Sequence, residues 1–273
     1  MAEGYGDPLL LHAIAEIKDN YGDDVFIKPK SLHKFGRTEN ADNGVLTTIS
    51  RFQDDVVNET LSTTNDIDSI ISTSADDTTQ TKVIEGHKID AAGNLYFQGQ
   101  EAELTGQTRA ALSVPLARVS RCYVKEGSFG SEPTGLAGDV AVYVNVADTD
   151  GKPNTDANVK LLVAGVEGRN QSEKAATSFS RGEYGIITDC FASINRAVSS
   201  ARADVRSEVR RRGGVFRVQW EGSMATTAST SVLNSFRPYI IMPPNSDLRL
   251  RAVSSGADTI ITGGFDAFFG KIK

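Results

Sequence analysis

Short β-type segments separated by turn residues recur along most of this chain, and this regularity is the strongest constraint on its fold. From Asp76 onward, alternating or apolar runs such as Leu95–Gln98, Val119–Val124 and Val140–Val146 follow one another. Turn sequences such as Asp90–Asn94 and the residues around Pro115 stand between them. Short strands at intervals of roughly ten residues are typical of antiparallel sandwiches and barrels. We therefore predict a mainly β chain with an antiparallel β-sandwich or barrel-like domain.

One region fits two patterns. Apolar residues fall at helical spacing at Phe191, Ile194, Val198, Ala201, Val205 and Val209. Val205, Ser207 and Val209 also alternate with charged residues, and the pair Gly213-Gly214 precedes a second alternating run that ends at Trp220. A hairpin turning at Arg212–Gly214 explains the two glycines better than the end of a helix does. We favour strand, turn and strand.

The first part of the chain differs from the rest. Asp7, Pro8 and Gly22 are placed as the N-cap, first turn and C-terminal stop of a short helix over Pro8–Asn20. The sequence then indicates short strands at Val25–Lys30, ended by Pro29, and at Leu46–Phe52, before a polar stretch rich in Ser and Thr from Asp54 to Ser74. We predict that residues 1–73 form an N-terminal helix and extended arm, and that residues 74–273 form the β-sandwich domain. The arm is expected to be completed by neighbouring subunits and to be dispensable for folding of the sandwich.

Overall composition excludes several classes of protein. The 273 residues carry a net charge of −6 with both signs scattered, so the uniformly basic surface of a nucleic-acid-binding protein is absent. No run reaches the roughly 18 apolar residues of a membrane span. Cys122 and Cys190 are the only cysteines, with no CxxC spacing and no signal-peptide pattern at Met1–Tyr21. These features favour a reducing compartment such as a cytoplasm, with both thiols in the core.

One loop carries candidate metal ligands. Asp148, Asp150, Asn154 and Asp156 lie close together between two predicted strands, and hard cations such as Ca²⁺ bind converging oxygens of this kind. The glutamate that completes an EF-hand loop is missing, because Val159 stands in its place. An Asp-Gly hairpin loop explains the same residues without an ion. The loop is a weak candidate, and we expect no metal and no cofactor.

Neither catalysis nor nucleic-acid binding has a convincing motif. The densest basic run is Arg202, Arg206, Arg210, Arg211 and Arg212. No aromatic residues interleave it as a stacking platform, so a solvated or intersubunit face is the favoured interpretation. His12, His33 and His87 are isolated in sequence, and no GxSxG, HExxH, phosphate-binding or paired-cysteine motif occurs. We predict no catalytic residues and no enzymatic activity.

Several segments, taken in order and spacing, resemble virion structural proteins of tailed bacteriophages, particularly marine ones. The segments are Ile67–Asp77, Ile84–His87, Leu104–Thr108, Pro115–Arg121, Asn170–Ser172, Lys174-Ala175, Gly213–Arg217, Pro244–Arg251 and Gly264-Phe265. The resemblance extends from about Val25 to the C terminus. It implies a component of the virus particle, assembled in the cytoplasm of the host bacterium, and it offers no catalytic residues to carry over.

The resemblance leaves three functions open. A capsid decoration, or cement, protein would bind the major capsid protein or neighbouring virion proteins, and itself as a homo-oligomer. A trimer would suit the local threefold positions of a shell. A head–tail connector, tail or fibre-base protein would also be an oligomer, but present in few copies. A carbohydrate-binding β-sandwich at the host surface would need exposed aromatic platforms or a pair of carboxylates. We expect the first, without nucleic-acid or membrane binding.

Overall fold

The computed structural model describes residues 8–22, 25–41, 44–50, 62–125, 135–145, 153, 158–165, 170–196, 200–256 and 258–272. In these ranges the chain forms one helix and sixteen strands. The elements are α1 Pro8–Tyr21, β1 Val25–Ala41, β2 Thr47–Thr48, β3 Ile67–Ser72, β4 Thr78–Ile89, β5 Leu95–Thr105, β6 Ala110–Leu116, β7 Arg118–Val124, β8 Val140–Val144, β9 Val159–Val163, β10 Ala176–Phe179, β11 Glu183–Arg196, β12 Arg202–Arg211, β13 Arg217–Ala225, β14 Ser231–Met242, β15 Ser246–Ser254 and β16 Thr259–Ile272. The predicted class, mainly antiparallel β with one short N-terminal helix, is confirmed.

The strands build two sandwiches rather than one. Sandwich 1 consists of the sheet β6-β3-β8-β9 and the sheet β5-β4-β7. Its core contains aliphatic side chains from both sheets, among them Ile70, Ile84, Leu104, Val142 and Leu161, all nearly inaccessible to water. The alternation that the sequence shows in these segments is what places one face of each strand in this core.

Sandwich 2 consists of sheet I, with order β1-β16-β11-β14, and sheet II, with order β10-β15-β12-β13 and β2 beside β15. Its core contains Ile49, Val205, Leu250 and Phe265, each fully buried. The ambiguous region belongs here, and β12 and β13 pair as an antiparallel hairpin, so the strand interpretation is confirmed. Cys122 and Cys190 are free and buried in sandwiches 1 and 2 respectively, as predicted.

The chain enters sandwich 2, leaves it to build sandwich 1, and then returns. Strand β1 pairs with the C-terminal strand β16, from Val25 opposite Ile272 to Ala41 opposite Thr259. Strand β2 pairs with β15, and β3 lies between β6 and β8. The segment predicted to be an arm completed by neighbours therefore supplies strands to sheets of its own chain. Pairing partners more than 200 residues away satisfy the backbone groups of β1 and β2, a relation that local sequence patterns do not reveal.

Helix α1 occupies the predicted position and lies on the outer face of sheet I. Gly22, at φ +89°, ends the helix, and its N–H donates to the carbonyl of Lys18. Ala13 and Ile17 are buried against Tyr184 and Ile186 of β11. In the part of the chain that the structure describes, no helix is both long and apolar enough to cross a membrane.

Candidate functional site

Strand β7 joins sandwich 1 to sandwich 2 through charged side chains. Lys34 of β1 donates from Nζ to the carbonyl of Ser120, and Lys174 donates from Nζ to the carbonyl of Val119 at 3.3 Å. Arg118, at the start of β7, forms an ion pair with Asp247 of β15 at 3.2 Å. We call these contacts the joint. They fix the relative placement of the two sandwiches with polar bonds, which depend on geometry more strictly than apolar contacts do.

Asp247 is the centre of the joint. Its carboxylate accepts from Arg118 and from Ser178 at 2.6 Å through Oδ1, and from Arg210 at 2.7 Å through Oδ2. Burial alone would raise the pKa of Asp247, but Arg118, Ser178 and Arg210 outweigh it and hold the pKa below its usual value. The group is thus a buried, ionised structural anchor.

The predicted arginine run is distributed among partners within the chain. Arg206 pairs with Glu221 across the hairpin at 3.2 Å, and Arg202 pairs with Asp204 at 3.3 Å. Arg210 reaches Asp247, and Arg212 donates to Oδ1 of Asn94 in sandwich 1 at 2.7 Å. Arg211 is exposed at the end of β12. Three of the five arginines therefore contact carboxylates on their own sheet, and Arg210 and Arg212 help to hold the joint.

The histidines lie on different elements. His12 is on α1, and His33 is on the outer face of sheet I, where its Nδ1 lies 2.5 Å from Oδ1 of Asp266. His87 is buried in β4, and burial lowers the pKa of His87 to about 4, so the ring is neutral at neutral pH. A neutral, enclosed imidazole can donate or accept a hydrogen bond but is a poor proton shuttle near pH 7.

The metal candidates lie outside the described residues. All four of Asp148, Asp150, Asn154 and Asp156 fall in the gaps 146–152 and 154–157. Within the described ranges, no three His, Cys, Asp or Glu side chains are grouped as metal ligands.

The outer face of sheet I carries both apolar and polar side chains, and α1 covers only half of it. On the covered half, Tyr184, Ile186 and Phe268 pack against the helix or beside it. On the other half, Leu233 of β14 lies opposite Phe191 of β11. No described residue packs over that half, which we call the open face.

A transverse row of side chains crosses the open face. Phe191 is opposite Gly264, and Gly264 is opposite Phe35 of β1. A Cβ on Gly264 would lie 2.4 Å from the Phe191 ring, so that ring extends over the glycine. The His33 ring stacks on Phe191 at 5.5 Å, with 11° between the planes. Leu233, at the end of the row, is 70% exposed. Sheets of globular proteins normally cover such rows or use them for contact.

Strand β13 adds an unpaired edge beside the open face. It is the last strand of sheet II and pairs only with β12 among the described residues. Val218 is 49% exposed, and Val215, in the preceding turn, is 72% exposed. A bulge interrupts its pairing between Ser207 and Glu208 of β12. Edges of this kind are templates for pairing with another chain, although a bulge limits how long that pairing can be.

Sequence reasoning identified neither the joint nor the open face. The open face takes its residues from β1, β11, β14 and β16, which are far apart in the chain. The one available signal was an apolar residue at an outward-facing position of a strand. Phe191 is an example, since it stands between Cys190 and Ala192, which face the core.

Comparisons with known proteins do not assign this chain to a family. No protein-family model and no curated protein matches the chain. The structure of the infectious bursal disease virus Gx strain aligns with 90% of this chain and 74% of its own, at 9% identity and a TM-score of 0.23. T=1 particles derived from the same virus align with 92% and 71%, at 8% identity and a TM-score of 0.18.

A carbohydrate-binding protein gives a similarly weak match. The CBM22-1-CBM22-2 tandem domain of Xyn10C from Paenibacillus barcinonensis aligns with 90% of this chain and 93% of its own, at 8% identity and a TM-score of 0.21. With similarity this weak to both viral particles and a carbohydrate-binding tandem, the matches define neither a family nor a function.

Proposed function

We propose that this chain is a structural protein of a bacteriophage particle and acts by binding copies of itself and neighbouring virion proteins. In this proposal the protein lies on the outside of the shell, where it acts as a decoration or cement protein and contacts the major capsid protein. It is not an enzyme and needs no cofactor. The proposal includes assembly in the host cytoplasm and no direct contact with nucleic acid.

The observation that carries the proposal is the open face. A row of four side chains lies on a sheet whose other half is covered by α1: Leu233 and His33 are exposed, and Phe191 and Phe35 are partly buried. Burying a leucine fully contributes about 1.5–3 kcal/mol, so covering this row favours association strongly. The ordered resemblance of the sequence to tailed-phage virion proteins supports the identity of the partner.

The experiment compares two leucines that are both exposed. Leu233→Asp places a charge in the open face, whereas Leu11→Asp places the same charge on α1, where the leucine is 58% exposed. Both proteins should fold. We expect Leu233→Asp to lower occupancy on purified shells about tenfold or more, since an interface centre contributes about 2 kcal/mol or more per anchor residue. Leu11→Asp should bind as the natural protein does.

The copy number in purified particles distinguishes a shell protein from a connector, tail or fibre-base protein. Gel densitometry against the major capsid protein should give a ratio near that of a shell lattice component. A few copies per particle would instead indicate a connector, tail or fibre-base protein. Equal shell binding by both aspartate variants would refute the open face as the contact surface, and binding to a glycan array would assign the aromatic row to carbohydrate instead.

A further inference from the structure

A polar cavity of about 210 Å³ lies beside the joint, between the two sandwiches. Inner-face side chains at one end of sheet I form one wall, and strands β4, β5, β7 and β10 form the rest. The lining residues are Leu32, Lys34, Glu85, His87, Phe97, Ser120, Thr177, Ser178, Glu183, Phe269 and Lys271. Since a water molecule occupies about 30 Å³, the cavity has room for a small polar molecule rather than a single water.

Lys34 lines this cavity as a buried amine that forms no close ion pair with any described carboxylate. The residue is 6% exposed, and its Nζ donates to the carbonyl of Ser120. Among the described residues, no carboxylate lies within ion-pair distance of that nitrogen. Buried ammonium groups are normally paired, because an unpaired one loses its hydration without compensation. Burial lowers the pKa of Lys34 to about 7; the positive charges of Arg121 and Lys174 add to this effect, and the negative charge of Glu85 opposes it.

His87, in another wall of the cavity, provides an unsatisfied polar atom. It is 3% exposed, and its Nδ1 has no hydrogen-bond partner in the part of the chain that the structure describes. The ring packs edge-on against Phe97, which is 49% exposed and stands at the outer side of the cavity. Buried polar atoms in native proteins are nearly always hydrogen-bonded, so an unpaired one beside a cavity indicates a missing partner.

The charges around the cavity determine which partner fits. Its walls carry two lysines, Lys34 and Lys271, and two glutamates, Glu85 and Glu183, which balance. Arg121 and Lys174 add positive charge near Lys34 and Glu85 adds one negative charge, so this end of the cavity has an excess of positive charge and favours an anion. The hydroxyl of Thr177 and the imidazole of His87 add hydrogen-bonding groups.

We propose that this cavity is a binding site for a small oxyanion, a carboxylate or a tetrahedral phosphate-like group, held by the Lys34 ammonium and the His87 ring. Bound there, the anion contacts β1 and β10 of sandwich 2 together with β4 and β7 of sandwich 1. It therefore stabilises the arrangement of the two sandwiches as well as the charge of Lys34.

The test is calorimetric titration of the full chain at pH 6, where the Lys34 amine is charged. Sulfate and acetate serve as separate probes, with ionic strength held constant by sodium chloride. Saturable binding of sulfate alone assigns a tetrahedral oxyanion, and saturable binding of acetate alone assigns a carboxylate. Thermal unfolding is the second measurement. At an anion concentration of one hundred times the dissociation constant, the melting temperature should rise by about 5 °C.

Single substitutions test whether the anion binds in this cavity. Lys34→Met keeps the length of the side chain and removes the amine, and it should weaken binding about tenfold or more, as expected for a charge-assisted hydrogen bond. Lys271→Met should weaken it less. Lys18→Met, on the exposed face of α1, is the matched control and should leave binding unchanged. Absence of saturable heat with either anion, or equal binding by Lys34→Met, would overturn the proposal.

Discussion

At the scale of single residues, Asp247 connects the two sandwiches. Its side chain is 8% exposed, and it neutralises Arg118 from sandwich 1 and Arg210 from sandwich 2. A buried carboxylate between two guanidinium groups adds little to folding stability by comparison with apolar side chains of the same shape. Removing the carboxylate alone, however, leaves two cations uncompensated. The bond network is therefore more sensitive to the loss of one member than its net contribution suggests.

We predict that Asp247→Asn lowers the free energy of unfolding by about 3–5 kcal/mol, because the buried Arg118 and the partly buried Arg210 lose their counter-ion. Urea denaturation at pH 7 measures the change. Glu101→Gln is the control, since the Glu101–Lys125 pair is about half exposed and contributes about 0–1 kcal/mol. Equal effects of the two substitutions would contradict the role assigned to Asp247.

The same carboxylate predicts a pH dependence. The pKa of Asp247 is lower in the folded state than its ordinary value of 3.8, so the unfolded chain binds the proton more readily. Its stabilisation is complete above the unfolded pKa and disappears as pH falls through the folded one. The stability difference between the natural protein and Asp247→Asn should accordingly be constant near neutrality and shrink below about pH 4. Urea titrations between pH 2 and 7 measure this difference.

At the scale of elements, close backbone approaches decide which strands can meet. A Cβ on Gly36 of β1 would lie 2.1 Å from the carbonyl oxygen of Ile49 and 2.6 Å from the amide nitrogen of Ala175. Those two backbone groups are themselves hydrogen-bonded at 2.9 Å. Strand β1 thus passes directly over the bond that connects the segment beside β2 to the segment before β10, and only glycine fits there.

Gly36→Ala should therefore destabilise the chain by about 1–3 kcal/mol, the usual cost of forcing extra volume into a packed core. Gly182→Ala is the control, because its added Cβ would meet nothing closer than the Ile272 carbonyl oxygen at 3.6 Å. The control should change the melting temperature little. A Gly36→Ala protein with the natural melting temperature would show that β1 can move away from Ile49.

Prolines show where element prediction from sequence succeeds and fails. The sequence indicates a strand ending at Pro29 and a turn at Pro115, yet Pro29 lies within β1 and Pro115 within β6. Both strands are at sheet edges, where a residue without an N–H can face away from the ladder. The helix, the hairpin and most strand positions follow from local patterns. Whether a proline interrupts a strand depends on the position of the strand in its sheet, which is not local information.

At the scale of the whole molecule, sequence reasoning predicted the class of fold but neither the second sandwich nor the surfaces between and outside them. Alternation identifies a buried face without stating which sheet covers it. The joint needs Lys34, Arg118 and Asp247 to meet across more than 200 residues of chain, and isolated charged residues give no sign of this. The open face similarly requires knowledge of which half of sheet I the helix covers.

The return of the chain to sandwich 2 yields the prediction with the largest effect. Deleting residues 1–73 removes β1, β2 and β3, and uncovers the edge of β16 along most of its length. It also removes Ile49, Ile67, Ile70 and Ile71 from buried positions. At about 2–5 kcal/mol for each buried isoleucine lost, the damage is about 8 kcal/mol or more, comparable with the entire stability of a typical domain.

We accordingly expect the 74–273 fragment to be unfolded or aggregated, whereas deletion of residues 1–22 alone should leave both sandwiches folded and expose only the face beneath α1. Far-ultraviolet circular dichroism and the cooperativity of thermal unfolding distinguish the two proteins. The shorter deletion is the control, because it removes the helix without removing a strand. A monomeric 74–273 fragment with a sharp unfolding transition would mean that residues 1–73 are an accessory arm after all, and that β16 tolerates an unpaired edge.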